Sequence, residues 1–162
     1  MADAHRRPLP TGWRRVAFRL PILAYRLGVG WLFGQRFLLL NHVGRKTGLP
    51  RQAVIEVVEH DAAAGTWAVA SGFGHTAAWY RNLRQTPDAT IQVGRREYAV
   101  TARFLTAADG GTAMRRYAER YPKTARRLAS FMGFDPDGSA SGYQAIGERI
   151  PFVRFETVRS CG

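Results

Sequence analysis

The sequence predicts a mainly β fold, an antiparallel barrel or sandwich with flanking helices. Three observations predict it: apolar and β-branched runs of strand length recur from Phe37 onward, turn chemistry separates them, and one short helix interrupts them before the C-terminal third. The chain has 162 residues and is 46% hydrophobic, enough for one domain with a real core.

Met1 to Thr11 is polar and basic with two prolines, and reads as a loose arm. Trp13 to Phe33 is rich in large apolar residues but is interrupted by Arg14, Arg15, Arg19, Arg26 and Pro21. No stretch of about 18 uncharged apolar residues exists, which disfavours a spanning helix. An amphipathic helix remains, suited either to the chain's own core, to a second subunit, or to peripheral contact with a membrane surface. Residues 1–34 are therefore expected to be an arm and helix, and residues 35–162 the barrel domain.

Phe37 to Val43 has the length of a buried strand, and Gln52 to Glu59 is a β-branched strand in which Glu56 stands out. Glu56 is either a solvent-face residue by alternation or the partner of an arginine. Between these strands lies Gly44-Arg45-Lys46-Thr47-Gly48-Leu49-Pro50-Arg51. Glycine lets backbone N–H groups converge on an anion, Thr47 adds a hydroxyl, Arg45 and Arg51 can fork onto two oxygens, and Lys46 is a compact charge. The loop is either a solvated basic turn or an anion clamp. Its spacing matches neither the P-loop nor the dinucleotide fingerprint.

Thr66 to Ser71 is a third strand, and Ser71 to Thr76 a second glycine-containing loop. Trp79-Tyr80-Arg81-Asn82-Leu83 opens a short helix closed off by Pro87. Thr90 to Val93 and Glu97 to Leu105 are strands joined by a turn at Gly94-Arg95-Arg96. Gly111 to Met132 is helical with a break at Pro122, presenting Met114, Tyr117, Ala118 and Tyr121 on one face. Asp135 to Gly142 is turn chemistry, expected to be mobile, and Ile150 to Val158 is a final strand that closes the barrel.

The net charge is +12 at pH 7, and the pI near 11.1 implies attraction to polyanions: nucleic acid, an anionic membrane or a phosphorylated cofactor. The one cysteine, Cys161, excludes an intramolecular disulfide framework, and a reducing cytoplasm fits. His5, His42, His60 and His75 lack metal-ligand spacing. Ser71 does not sit in a nucleophile elbow, and nothing pairs two carboxylates at one mouth. The side chains offer no evident catalytic set, so a bound redox cofactor would carry the hard chemistry.

The ordered series Gly44-Arg45-Lys46-Thr47-Gly48-x-x-Arg51, Ala70-Ser71-Gly72-Phe73-Gly74, Trp79-Tyr80-x-Asn82-Leu83, Pro87 and Ile91-Gln92-Val93-Gly94 resembles the deazaflavin-dependent nitroreductase family. The resemblance implies a split β-barrel related to the FMN-binding barrels, and coenzyme F420 as cofactor, with FMN as the alternative. It further implies that Arg45, Lys46, Thr47, Gly48 and Arg51 hold the phosphate and acidic tail, that the backbone of Ala53, Val54 and Ile55 lies along the ring, and that Ser71, Gly72, Trp79, Tyr80 and Asn82 complete the pocket. The family often has proline where Ala53-Val54 and Ala78 stand here. Hydride would pass from reduced F420 to an apolar, electron-poor acceptor such as an enone, a quinone or a nitro compound, with Ser71, Tyr80, Tyr121 and Tyr143 as candidates to donate a proton or orient the acceptor. A homodimer is implied by the resemblance alone. The reading of another class, a non-enzymatic module for nucleic acid or other polyanions, is opposed by the lack of any helix-turn-helix or similar module.

Overall fold

A computed structural model describes residues 36–158. The arm and helix expected over residues 1–34, and with them the membrane-surface reading of Trp13 to Phe33, lie outside the described residues. Six strands form a closed barrel: β1 Phe37–Val43, β2 Pro50–Asp61, β3 Thr66–Ala70, β4 Asp88–Val93, β5 Arg96–Phe104 and β6 Phe152–Thr157. Their order is β1-β2-β3-β6-β5-β4, every pairing is antiparallel, and β1 against β4 makes the closing seam. The C-terminal strand expected to close the barrel is present but inserts between β3 and β5.

Alternation explains how the barrel fills. Leu38 and Leu40 of β1, Ile55 and Val57 of β2, Val69 of β3, Ile91 of β4, Val100 of β5 and Val153 and Phe155 of β6 all enter one core. Helix α1, Ala78–Gln85, follows a single 3₁₀ turn at Gly74–Thr76 and adds Tyr80 and Leu83 to the same core.

A second core lies outside the barrel. Helices α2 (Ala107–Arg120), α3 (Pro122–Phe131) and α4 (Ala140–Glu148) cover Val58, Ala70 and Phe152 with Met114, Tyr117, Ala125, Ala129, Tyr143 and Ile146. The expected break at Pro122 is real, since proline at the first position starts α3. Helix α2 begins earlier than expected, because the Thr106 hydroxyl accepts from the Asp109 N–H at 3.2 Å and caps it.

The stretch Asp135 to Gly142 is corrected in part. Its end is the first turn of α4, capped by Ser139, whose hydroxyl accepts from the Gly142 N–H at 2.9 Å. Glycines also let α2 and α4 touch. A Cβ on Gly147 would stand 2.5 Å from the Gly110 carbonyl oxygen and 2.6 Å from the Met114 Cβ. Gly147→Ala should therefore push α2 and α4 apart and cost about 1–3 kcal/mol of stability, read as a lower urea midpoint; an unchanged midpoint would show that the helices separate freely.

Candidate functional site

The loop between β1 and β2 is tightly self-bonded. The Gly44 N–H donates to the Leu49 carbonyl at 2.9 Å, and the Gly48 N–H donates to the Gly44 carbonyl at 2.8 Å. Gly48 has φ of 69°, a conformation that side chains disfavour. The Thr47 hydroxyl accepts from the Leu49 N–H at 3.3 Å, and a Cβ on Gly44 would meet that hydroxyl oxygen at 2.9 Å.

From this frame Lys46 and Arg51 project into solvent, while Arg45 is half-buried. None of the three meets a carboxylate: the ion pairs among the described residues are made by Arg36, Arg103, Arg115 and Arg116. Three cations gathered on one turn without a carboxylate among the described residues repel one another, a charge arrangement that an anion would relieve.

Asn82, 4% exposed, reaches the loop from α1. Its side-chain oxygen accepts from the Arg45 backbone N–H at 3.1 Å and from the Arg45 guanidinium at 3.0 Å. On its other side the Asn82 amide nitrogen lies 3.0 Å from Nδ1 of His42, a buried residue of β1. Burial, and then the nearby Arg51 cation, push the His42 pKa down to about 4. His42 was not a sequence candidate; the signal that could have found it is a lone histidine inside an apolar strand next to the cationic loop.

The other expected residues fall into separate places. Ala53 and Val54 are half-buried on β2 and Ile55 is in the barrel core. Ser71 is fully buried, and its hydroxyl donates to the Gly74 carbonyl at 2.6 Å, closing the second loop. Gly72 faces Met132 and Phe131. Trp79 packs against the barrel core, and Tyr80 is buried between the edges of His75 and Phe104. Tyr143 is buried in the second core, whereas Tyr121 is 48% exposed. The structure thus joins Asn82 to the loop and keeps Tyr121 and Tyr143 in the helical layer.

Tyr121 lines a cleft of about 500 Å³ between β2 and helices α2 and α3. The strand register shifts between Val57 and Glu59, and this bulge carries Val57 and Val58 into the cleft wall. Tyr117, also in the wall, donates to Glu56 at 2.5 Å, and Glu56 lies 3.8 Å from the Arg36 guanidinium. Burial and the Glu56 carboxylate raise the Tyr117 phenol well above its usual range, so its proton is firmly held. Glu56 therefore answers an arginine, the second of the two readings, and turns towards the helical layer. Tyr117 was seen in the sequence only as one residue of a helix face.

The geometry defines a class: a closed antiparallel barrel with a cationic hairpin turn that meets no carboxylate among the described residues. The family model of F420H(2)-dependent quinone reductases matches residues 23–130, more than half of the sequence, and the chain belongs to that family. An F420H(2)-dependent quinone reductase of Mycobacterium tuberculosis (strain ATCC 25618 / H37Rv) is 35% identical over 72 residues, 44% of this chain and 48% of the relative. The chain spans about half the length of the curated relatives it matches. Among solved structures, the F420-H2 dependent reductase FDR-A superposes with a TM-score of 0.52 at 23% identity, over 76% of this chain and 96% of that one. A protein of the pyridoxinephosphate oxidase family from Clostridium acetobutylicum gives a TM-score of 0.52 at 8% identity, over 86% and 84% of the two chains. At such identities the likeness carries the fold alone, and that fold is the expected split β-barrel.

His42 supplies a prediction on pH. Its folded pKa of about 4 lies below the ordinary histidine value of 6.5, so the unfolded chain binds the proton more readily and stability falls as pH drops from about 6.5 towards 4. The melting temperature of the wild type should fall more steeply across that window than that of His42→Asn; parallel profiles would show that His42 does not contribute.

Proposed function

We propose that the protein is an F420H2-dependent oxidoreductase that passes hydride from reduced coenzyme F420 to an apolar, electron-poor acceptor, with quinones, enones and nitro compounds as the acceptor class. The observation that carries this reading is the set of three cations on the Gly44–Arg51 turn, unpaired among the described residues and held against α1. The donor set suits the coenzyme, since a phosphate with an acidic tail needs several cations on a frame that does not collapse onto its own carboxylates. The name of the M. tuberculosis relative points the same way.

In this reading Lys46, Thr47, Gly48 and Arg51 bind the phosphate and tail directly, with Arg45 beside them. About 20 Å of strand, at roughly 3.3 Å per residue, separates Arg51 from Val57. An extended ligand anchored at the loop would run along the backbone of Ala53, Val54 and Ile55 towards the cleft. Bound there, reduced F420 would supply the hydride. The chain's part is to bind, orient and exclude water. Gly72, Trp79 and Tyr80 would flank the ring, Asn82 would complete the pocket from behind the loop, and Val57 and Val58 offer an apolar wall to the acceptor.

The candidates for proton chemistry differ in what the geometry supports. Tyr121 is exposed at the cleft and can orient an acceptor oxygen or give it a proton. Tyr80 and Tyr143 are core residues, and the Ser71 hydroxyl is engaged by Gly74, so these three act by shaping the pocket. Tyr117, with its proton bound towards Glu56, would order the cleft wall.

Two further parts of the reading concern assembly. A homodimer is supported by a solved structure that is a domain-swapped dimer and superposes with a TM-score of 0.53 at 22% identity. Peripheral contact with an anionic membrane is supported by the aromatic and arginine-rich composition of residues 13–33; among the described residues no helix is long and apolar enough to cross a membrane. Sedimentation at dimer mass and flotation with anionic vesicles are expected of the full chain; a monomer that stays with the soluble fraction would remove both parts.

Titration with F420, and with FMN as comparison, tests the main reading. Micromolar binding of F420 and weaker binding of FMN are expected, and failure to bind F420 overturns it. Lys46→Ala with Arg51→Ala removes two charge-assisted contacts of about 1.5–3 kcal/mol each, a loss on the order of 100-fold or more in affinity, with little change in melting temperature.

A further inference from the structure

The buried polar pair behind the loop has a feature that its packing alone does not require. Two hydrogens of Arg45, one on its backbone nitrogen and one on its guanidinium, point at the same atom of Asn82. Both are donors, so the atom that receives them must be the amide oxygen. The amide nitrogen is then fixed on the opposite side, 3.0 Å from His42 Nδ1, where it needs an acceptor. Nδ1 is an acceptor only in neutral imidazole with its proton on Nε2. Each of the three groups therefore has one allowed state, and the chain of constraint runs from the barrel interior to the cationic turn.

We propose that His42 and Asn82 form a positioning relay in which neutral His42 orients the Asn82 amide, and the Asn82 oxygen in turn holds Arg45 and the loop backbone in the shape that receives the cofactor's phosphate. This rests on the F420 reading and adds to it two positioning residues and a direction of action. Neither needs to touch the ligand. Arg45 spends one guanidinium hydrogen bond on Asn82 and keeps its remaining donors for an anion. The relay also ties two parts of the site together, since Asn82 is carried by the same helix as Trp79 and Tyr80. Burial and the Arg51 cation disfavour imidazolium, which would set donor against donor at the Asn82 amide.

A double-mutant cycle on the full chain, with F420 as the probe and the dissociation constant as readout, tests the relay. Asn82→Ala and His42→Leu should each weaken F420 binding about 5- to 20-fold. His42→Asn places an amide oxygen near the position of Nδ1 and should restore affinity to within about twofold of wild type. In an Arg45→Ala background, where only the backbone N–H bond to Asn82 remains, Asn82→Ala and His42→Leu should each weaken binding less than they do in the wild type. Additive losses in that background would mean that Asn82 acts on the ligand directly, and equal losses in His42→Leu and His42→Asn would mean that only packing matters; either overturns the relay while leaving the F420 reading intact. No F420 binding by the wild type overturns both. Nitrogen NMR of the ligand-free chain near pH 7 gives an independent check that survives a variant failing to fold: His42 should carry its proton on Nε2, and a proton on Nδ1 overturns the relay.

Discussion

The contact between the Asn82 side chain and Arg45 is the interaction on which the site depends. The Gly44–Arg51 turn gathers like charges, which by themselves would drive it open. Its internal hydrogen bonds shape the turn, and the Asn82 oxygen, accepting twice from Arg45, fastens it to helix α1. That oxygen is buried, so the bond is not traded readily for water. A mobile basic turn is thereby made into a frame.

The barrel makes this contact possible. Closing β1 against both β2 and β4 fixes the end of β1, where His42 sits, and the start of β2, where Arg51 sits opposite it. Helix α1 is anchored in the barrel core by Tyr80 and Leu83, which leaves Asn82 facing His42 and the loop. Further along β2 the bulge at Val57 to Glu59 re-aims the strand towards the helical layer and opens the cleft. One strand thus carries the cationic turn at one end and, towards the other, a cleft in which Val57 and Val58 stand among arginines and tyrosines.

Particular residues show how legible this was. The strand β1 was readable to its limits, because a mostly apolar run of strand length ended by a glycine loop leaves little choice. The break at Pro122 was readable because proline cannot continue a helix. Helix α4 was hidden: Ser139 and Gly142 resemble turn residues, and Gly147 has no evident role until α2 is seen to approach it. The role of Glu56 was equally hidden, since alternation places it outside the barrel and only the docking of α2 shows that the outside is covered by Tyr117.

By itself the sequence determined what is local or periodic: the succession of strands, the proline and glycine boundaries, and a turn with three cations whose order with the later motifs marks the family. Those properties depend on backbone propensity and on alternation over a few residues. The tertiary structure alone decided which groups meet across 37 or 40 residues of chain, as Arg45 and His42 do at Asn82. It also decided that Tyr117 faces a carboxylate. The reason is physical: hydrogen-bond partners and burial are set by how the barrel closes and the helices dock, and no spacing in the sequence encodes that distance.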